Sequence, residues 1–369
     1  METAIGPRSV SLSSDLFDIR FDIEGRQDVP QISSNYALWI ALPIAMATGR
    51  NLHINGLVSP DALQNASALI SIWSKWTPEL FSAVTVSAAE TGRSPLPENR
   101  DAELMLFSGG LDSTYSLVKN YIATGKPVSL LTVHGMDYKA EDIQRFDELK
   151  KKIKPLTSKI SGSHYCIRSN AAQVMSRFGI QGDIGHGFHL FGNLFLFEDK
   201  YKVGVIAADC SFASEFVMSP WGTNHVSNPF FASADFHVRT LDNDLDRSQK
   251  AGGLQQLAGG AAALQSVSFC KDYKSRPHNC GVCSKCVRTK AMFYTETGEI
   301  PPVFLDSQFS PRDVGIIDVT KRGERTFVLD LLSSARRNSK EKEFSWLADE
   351  VAKPGGKAKP SKKWRKLFK

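Results

Sequence analysis

Residues 103 to 124 constrain the fold of this chain more than any other stretch. A short apolar run, Glu103 to Phe107, passes through Ser108-Gly109-Gly110-Leu111-Asp112-Ser113 into a helical segment from Ser113 to Thr124. Gly125 and Pro127 end that helix, and a second apolar run, Val128 to Val133, follows as a strand. A strand–helix–strand unit of this kind builds a parallel sheet, because only a long crossover returns the chain to run in the same direction. The alternation continues: AEDIQRFDELKKKIKP reads as a helix, SHYCIRS as a strand, GFHLFGNLFLFED as a buried helix and KVGVIAADC as a β-branched strand. The pattern predicts an α/β fold with a doubly wound parallel sheet, whose ligands sit at the carboxyl ends of the strands.

Upstream, Phe17, Ile19, Phe21 and Ile23 alternate with Asp18, Arg20, Asp22 and Glu24, the period of a strand with one wet face. SSNYALWIALPIAMATG predicts a mostly apolar helix with Ser and Asn caps, a kink at Pro43 and a stop at Gly49. NLHING and AVTVSA read as strands, with a capped helix starting after Ser59 between them. Residues 91–101, TGRSPLPENRD, read as a linker by their Pro, Gly and charge content. The chain thus divides into a smaller N-terminal α/β or α+β accessory domain over 1–98 and a main domain over 99–310. A helical extension over 311–352, with helices around Phe327 to Arg336 and Lys340 to Val351, precedes a basic tail over 353–369. No internal repeat of about 20–50 residues is visible.

The net charge of +6 is concentrated in the tail, where KPGGKAKPSKKWRKLFK carries eight Lys and Arg and no acid; removing those eight charges leaves −2 for the rest. A nearly neutral body gives no electrostatic warrant for nucleic-acid binding by the folded part. The tail itself offers a contact for phosphate, nucleic acid or an acidic protein partner, with Trp364 and Phe368 as stacking groups, and solvated chain is the plainer reading. The longest apolar run, Tyr36 to Thr48, has 13 residues, short of the about 20 that span a membrane. The start METAIGPRSVSLSSDLFDIRF lacks the apolar core of a secretory signal. The expectation is a cytoplasmic protein; oligomeric state is left open.

The segment from 108 to 113 has the chemistry of an anion cradle. Gly109 and Gly110 allow tight or left-handed backbone, so that peptide N–H groups converge on anionic oxygens, and Ser108 and Ser113 add hydroxyls. The helix that follows aims its unpaired amides and positive end at the same point. The stretch is neither a G-x4-G-K-[ST] loop nor a GxGxxG fingerprint. Asp112 beside a phosphate would repel it unless a divalent cation intervenes, which points to Mg²⁺ between Asp112 and the phosphate oxygens. An ordinary turn with Asp112 as helix cap is the bland alternative. Arg247 and Lys250, in DLDRSQKAGG, are candidate catalytic cations for a departing phosphate group, or else unremarkable surface charges.

Ser108, Gly109, Gly110, Asp112 and Ser113 match position by position the S-G-G-x-D-S signature of the PP-loop, or N-type, ATP pyrophosphatases, and the chain resembles that family. The resemblance implies an adenine nucleotide alpha hydrolase-like fold and cleavage of ATP between the α and β phosphates. AMP is then attached to a substrate oxygen, and a nucleophile displaces it. It also implies that Ser108 to Thr114, including Leu111, hold the β and γ phosphates. Adenine would be held by backbone near Val133 and His134.

Cys270, Cys280, Cys283 and Cys286 are spaced C-x9-C-x2-C-x2-C. Four thiolates so close point to a metal, and they satisfy tetrahedral Zn²⁺ with no open position; an iron–sulfur cluster fits the spacing too. The order lone Cys, then Cys280-Gly281-Val282-Cys283-Ser284-Lys285-Cys286, then Arg288, resembles the zinc knuckle of the 7-cyano-7-deazaguanine synthases within the same family. That resemblance covers roughly 103–294 and implies zinc. It also implies ATP-dependent amidation of a carboxylate to an amide or nitrile, of the type used in queuosine biosynthesis. The chain departs from those synthases in its additional N-terminal stretch of roughly 100 residues and in HGMDYKAED after the second strand. Relatives with such an additional domain are associated with bacterial antiviral defence as well as biosynthesis, so a modified or macromolecular acceptor enters consideration.

Asp209 and Cys210, at the end of a strand, and His186 are candidate substrate-binding residues. His186 and His189 share one helix face, and SPWGTNHVSNPFFAS is long enough to close over a site. Two other functions compete. One is a tRNA sulfurtransferase with Cys210 as persulfide carrier, for which Cys166 offers no evident partner; the other is a non-catalytic nucleotide-binding protein. The Met-Glu start lacks the N-terminal Cys of a glutaminase, so free ammonia or a partner's amine is the expected nitrogen donor.

Overall fold

A computed structural model describes residues 1–27 and 33–352. The basic tail, residues 353–369, lies outside the described residues. Among the described residues ten strands form: β1 (Glu2–Ile5), β2 (Ser9–Ser13), β3 (Asp18–Glu24), β4 (Leu52–Val58), β5 (Val86–Thr91), β6 (Asp101–Leu106), β7 (Ser129–His134), β8 (His164–Ser169), β9 (Tyr201–Ala207) and β10 (His237–Leu241). Eight of them make one sheet in the order β1-β2-β3-β8-β7-β6-β9-β10, and β4 and β5 pair separately. The run from β8 to β10 is parallel throughout, and β1 to β3 are added antiparallel at the β8 edge.

The five parallel strands start in the middle. From β6 the chain moves outward to β7 and β8, then crosses back to β9 and β10 on the other side. Connections leaving β6 and β9 therefore diverge, which opens a crevice at their carboxyl ends. Both faces of this sheet are covered, so the central strands place apolar residues toward both. Leu104 and Leu106 join one core, with the helices Asn35–Thr48, Pro60–Trp76 and Gly182–Phe195. Met105 and Phe107 join the other, with the helices Leu111–Leu117, Ile143–Thr157, Arg247–Gln256, Ser284–Thr297 and Arg322–Arg337. The result is an α/β structure around a mostly parallel, eight-stranded sheet.

The sheet and one core run across the linker. Phe21 and Ile23 of β3 stand opposite Ser169 and Ile167 of β8. The helix Asn35–Thr48 is buried on every side from Asn35 to Met46, as an all-round apolar helix must be. Trp39 packs edge-on to Phe231 at 5.3 Å and tilted to Phe195 at 5.6 Å. Strands β1 to β3 thus extend the sheet, and the helices Asn35–Thr48 and Pro60–Trp76 cover one face of it. Pro43 sits inside an unbroken helix. The strand read at AVTVSA is displaced to Val86–Thr91. The helix after β6 begins at Leu111 with Gly110 as its cap, two residues earlier than the expected Ser113, so that Asp112 lies in its first turn. Among the described residues no helix is long and apolar enough to cross a membrane.

Candidate active site

A cleft of about 430 Å³ opens where β6, β7 and β9 end, at the reversal of strand order. Its floor is the 108–113 loop. Gly109 has φ +71°, and a Cβ there would meet Ile153 Cγ2 at 2.8 Å; only glycine fits without displacing that side chain. The Gly109 carbonyl accepts the Ser268 N–H at 2.7 Å. Ser113 Oγ donates to Gly110 O at 3.2 Å and lies 3.3 Å from Ser108 Oγ, so both hydroxyls brace the turn. The amides of Leu111, Asp112 and Ser113 donate to no acceptor among the described residues, as expected for the first turn of a helix.

Arg247 faces the loop. Its Nη2 donates to Asp112 Oδ2 at 2.6 Å and its Nε to Asp112 Oδ1 at 3.2 Å, a fork that only a guanidinium can make. Its Nη2 also lies 3.7 Å from Asp209 Oδ1, and the guanidinium stacks 4.2 Å above Phe327. Asp209 in turn accepts from Trp221 Nε1 at 2.9 Å and Thr223 Oγ1 at 2.8 Å. His186 Nε2 is 2.9 Å from Thr223 Oγ1 and 3.6 Å from Asp209 Oδ2, while its Nδ1 is 2.8 Å from Gly182 O. Burial pushes the Asp209 carboxyl up, but His186, Arg247 and the Trp221 hydrogen bond outweigh it and hold the group well below the usual carboxylate range. One chain of contacts therefore runs from the loop through Arg247 and Asp209 to His186.

Ser108, Gly110, Leu111, Asp112, Ser113, Val133, His186, Asp209 and Arg247 all line the cleft. Gly109, Thr114, His134, Lys250, Cys210, Cys166 and His189, also singled out from sequence, do not. Thr114 is buried in the helix. His134 stacks flat on Phe146, centroids 4.2 Å apart, with Nε2 against Lys139 O at 2.7 Å, so its ring is already engaged. Lys250 is 0% exposed and donates to Ala208 O at 2.7 Å; it pins the turn after β9. Cys210 is 3% exposed within the core, where burial pushes its thiol up and keeps it protonated, and Cys166 is pushed up to about 12 for the same reason. His189, 1% exposed, has no hydrogen bond at either ring nitrogen, and burial lowers it to about 4. The 219–233 loop contributes Trp221 to the lining and buries Phe231 in the core.

The four cysteines converge. Their Sγ atoms all lie within 4.8 Å of one another, with Cys270 to Cys283 at 3.8 Å and Cys280 to Cys286 at 3.9 Å. They are close enough to hold a metal ion such as zinc. Thiolates about 2.3 Å from a tetrahedral zinc stand about 3.8 Å apart, so the donor set fits. The knuckle is also a wall of the cleft: Phe269, Cys270, Arg276, Lys285 and Thr289 line it. Sequence reading passed over Lys285 and Arg276, which look there like spacers between ligands. Comparison with protein-family models, with curated proteins and with solved structures finds no match for this chain.

Proposed function

We propose that the protein activates a carboxylate with ATP, releasing pyrophosphate, and passes the acyl group from AMP to ammonia or an amine to give an amide; where ammonia is the donor, adenylation of the amide oxygen by a second ATP and departure of that oxygen with AMP gives a nitrile. The PP-loop resemblance motivates this reading. The observation that carries it is the position of the 108–113 loop: it lies where the strand order reverses, with three free amides and the Asp112–Arg247 pair at one point of the cleft. Backbone donors and a guanidinium so arranged favour charge developing on a leaving pyrophosphate.

In this reading the amides of Leu111, Asp112 and Ser113 take phosphate oxygens, Arg247 turns from Asp112 toward the same group, and the Val133 end of β7 borders the nucleoside. Magnesium at Asp112, whose carboxylate is a hard oxygen donor, would add positive charge beside the phosphates. Asp209, fixed by Trp221 and Thr223, borders the acceptor side and orients Arg247 and His186. The knuckle cysteines hold zinc as a closed, structural site. The acceptor follows the resemblance: a 7-deazaguanine carboxylate, or a carboxylate on a protein or nucleic acid.

Exchange of labelled pyrophosphate into ATP tests the reading, since a reversible acyl adenylate returns the label only when the right carboxylate is present. Exchange that needs Arg247 and a carboxylate supports it; no exchange with any carboxylate that binds in the cleft refutes it.

A further inference from the structure

Of the basic side chains that line the cleft, one is uncommitted. Arg247 is forked onto Asp112. Arg276 donates from Nε to Cys270 O at 2.7 Å and from its terminal nitrogen to Asp137 O. Lys285 lines the same cleft, yet its amine makes no hydrogen bond, ion pair or ring contact with the described residues. An unpaired ammonium that shares a cleft with Arg247 and Arg276 calls for an anion to offset the charge.

The 108–113 loop, which lines the same cleft, presents what such an anion also needs, its three unpaired amides. Lys285 sits between Cys283 and Cys286, in the first turn of the helix Ser284–Thr297. Its backbone position is therefore set by two metal ligands. We infer that Lys285 is an anion-binding residue that takes phosphate oxygens in the cleft it shares with the 108–113 loop, and that the metal knuckle is what holds it in place. An ammonium is suited to this, being a compact point charge with three donors that bridges separate phosphate oxygens. The inference rests on the nucleotide reading above and gives the knuckle a part in ligand binding that a merely structural zinc would not have.

The test is calorimetric titration of inorganic pyrophosphate with magnesium, and separately of adenosine, into the wild-type protein, Lys285→Gln and Lys285→Arg, with bound metal measured in each. The expected result is a loss of about tenfold to a hundredfold in pyrophosphate affinity for Lys285→Gln, with metal content and adenosine affinity unchanged and most of the loss restored in Lys285→Arg. Wild-type pyrophosphate affinity in Lys285→Gln overturns the inference. So does metal loss in step with affinity, which would make Lys285 a support of the knuckle, and so does equal weakening of adenosine. A wild-type protein that ignores pyrophosphate altogether overturns the nucleotide reading and this inference together.

Discussion

Asp112 and Arg247 make the sharpest residue-level contrast between folding and function. Asp112→Asn keeps the shape and removes the charge, while Arg247 retains Asp209 3.7 Å away, so the fold survives. Pyrophosphate release should fall by about a hundredfold or more with little change in melting temperature; a steady-state assay beside a thermal melt checks both. A second residue acts on stability alone. Glu198, 1% exposed, accepts from Ser33 and from Asn35 Nδ2 at 3.1 and 3.3 Å. Burial, opposed in part by those bonds and reinforced by Asp199, pushes its carboxyl up to about 7 from 4.5. The folded state then holds a proton that the unfolded chain gives up at lower pH. Stability is highest below pH 4.5 on this account, falls as pH rises to about 7, and is level above. The loss amounts to about 3 kcal/mol. Glu198→Gln should flatten that fall, seen as a smaller drop in melting temperature between about pH 5 and 8 by scanning calorimetry. At this scale the sequence shows Ser108 to Ser113 clearly, since their chemistry lies in the backbone they permit. It does not show Lys250 or His134, whose orientation depends on Ala208 and Phe146, partners remote in sequence.

Among the elements, the metal knuckle joins local and distant structure. Cys283→Ser should release bound metal, measured by emission spectrometry, and weaken ligand binding through Cys270, Arg276 and Lys285, which all line the cleft. Unchanged metal content would separate the cysteines from the metal. The alternation of strands and helices from β6 to β9 is legible because each element carries its own period and its own glycine or proline stop. β10 is not legible in the sequence: HVRTL is short, with only Val238 and Leu241 buried. The partner of the helix Asn35–Thr48 was hidden as well, because an apolar surface on all sides states that the helix is buried and not against what.

The molecule as a whole is tied together by that helix. Trp39 touches Phe195 and Phe231 from beyond the linker, and β3 is hydrogen-bonded to β8. Trp39→Ala should cost about 3–5 kcal/mol and lower one shared transition, so that calorimetry shows a single peak moving. Two separate peaks would mean that the N-terminal residues fold on their own. Composition and linker content suggested a boundary near residue 98, since Pro and Gly mark a loop equally well whether or not a sheet continues past it. The nucleotide products report most directly on the cleft at the reversal of strand order. Purified protein incubated with ATP, magnesium and candidate carboxylates should yield AMP and pyrophosphate in step with a new amide or nitrile; ADP and phosphate, or ATP bound away from the 108–113 loop, would contradict it.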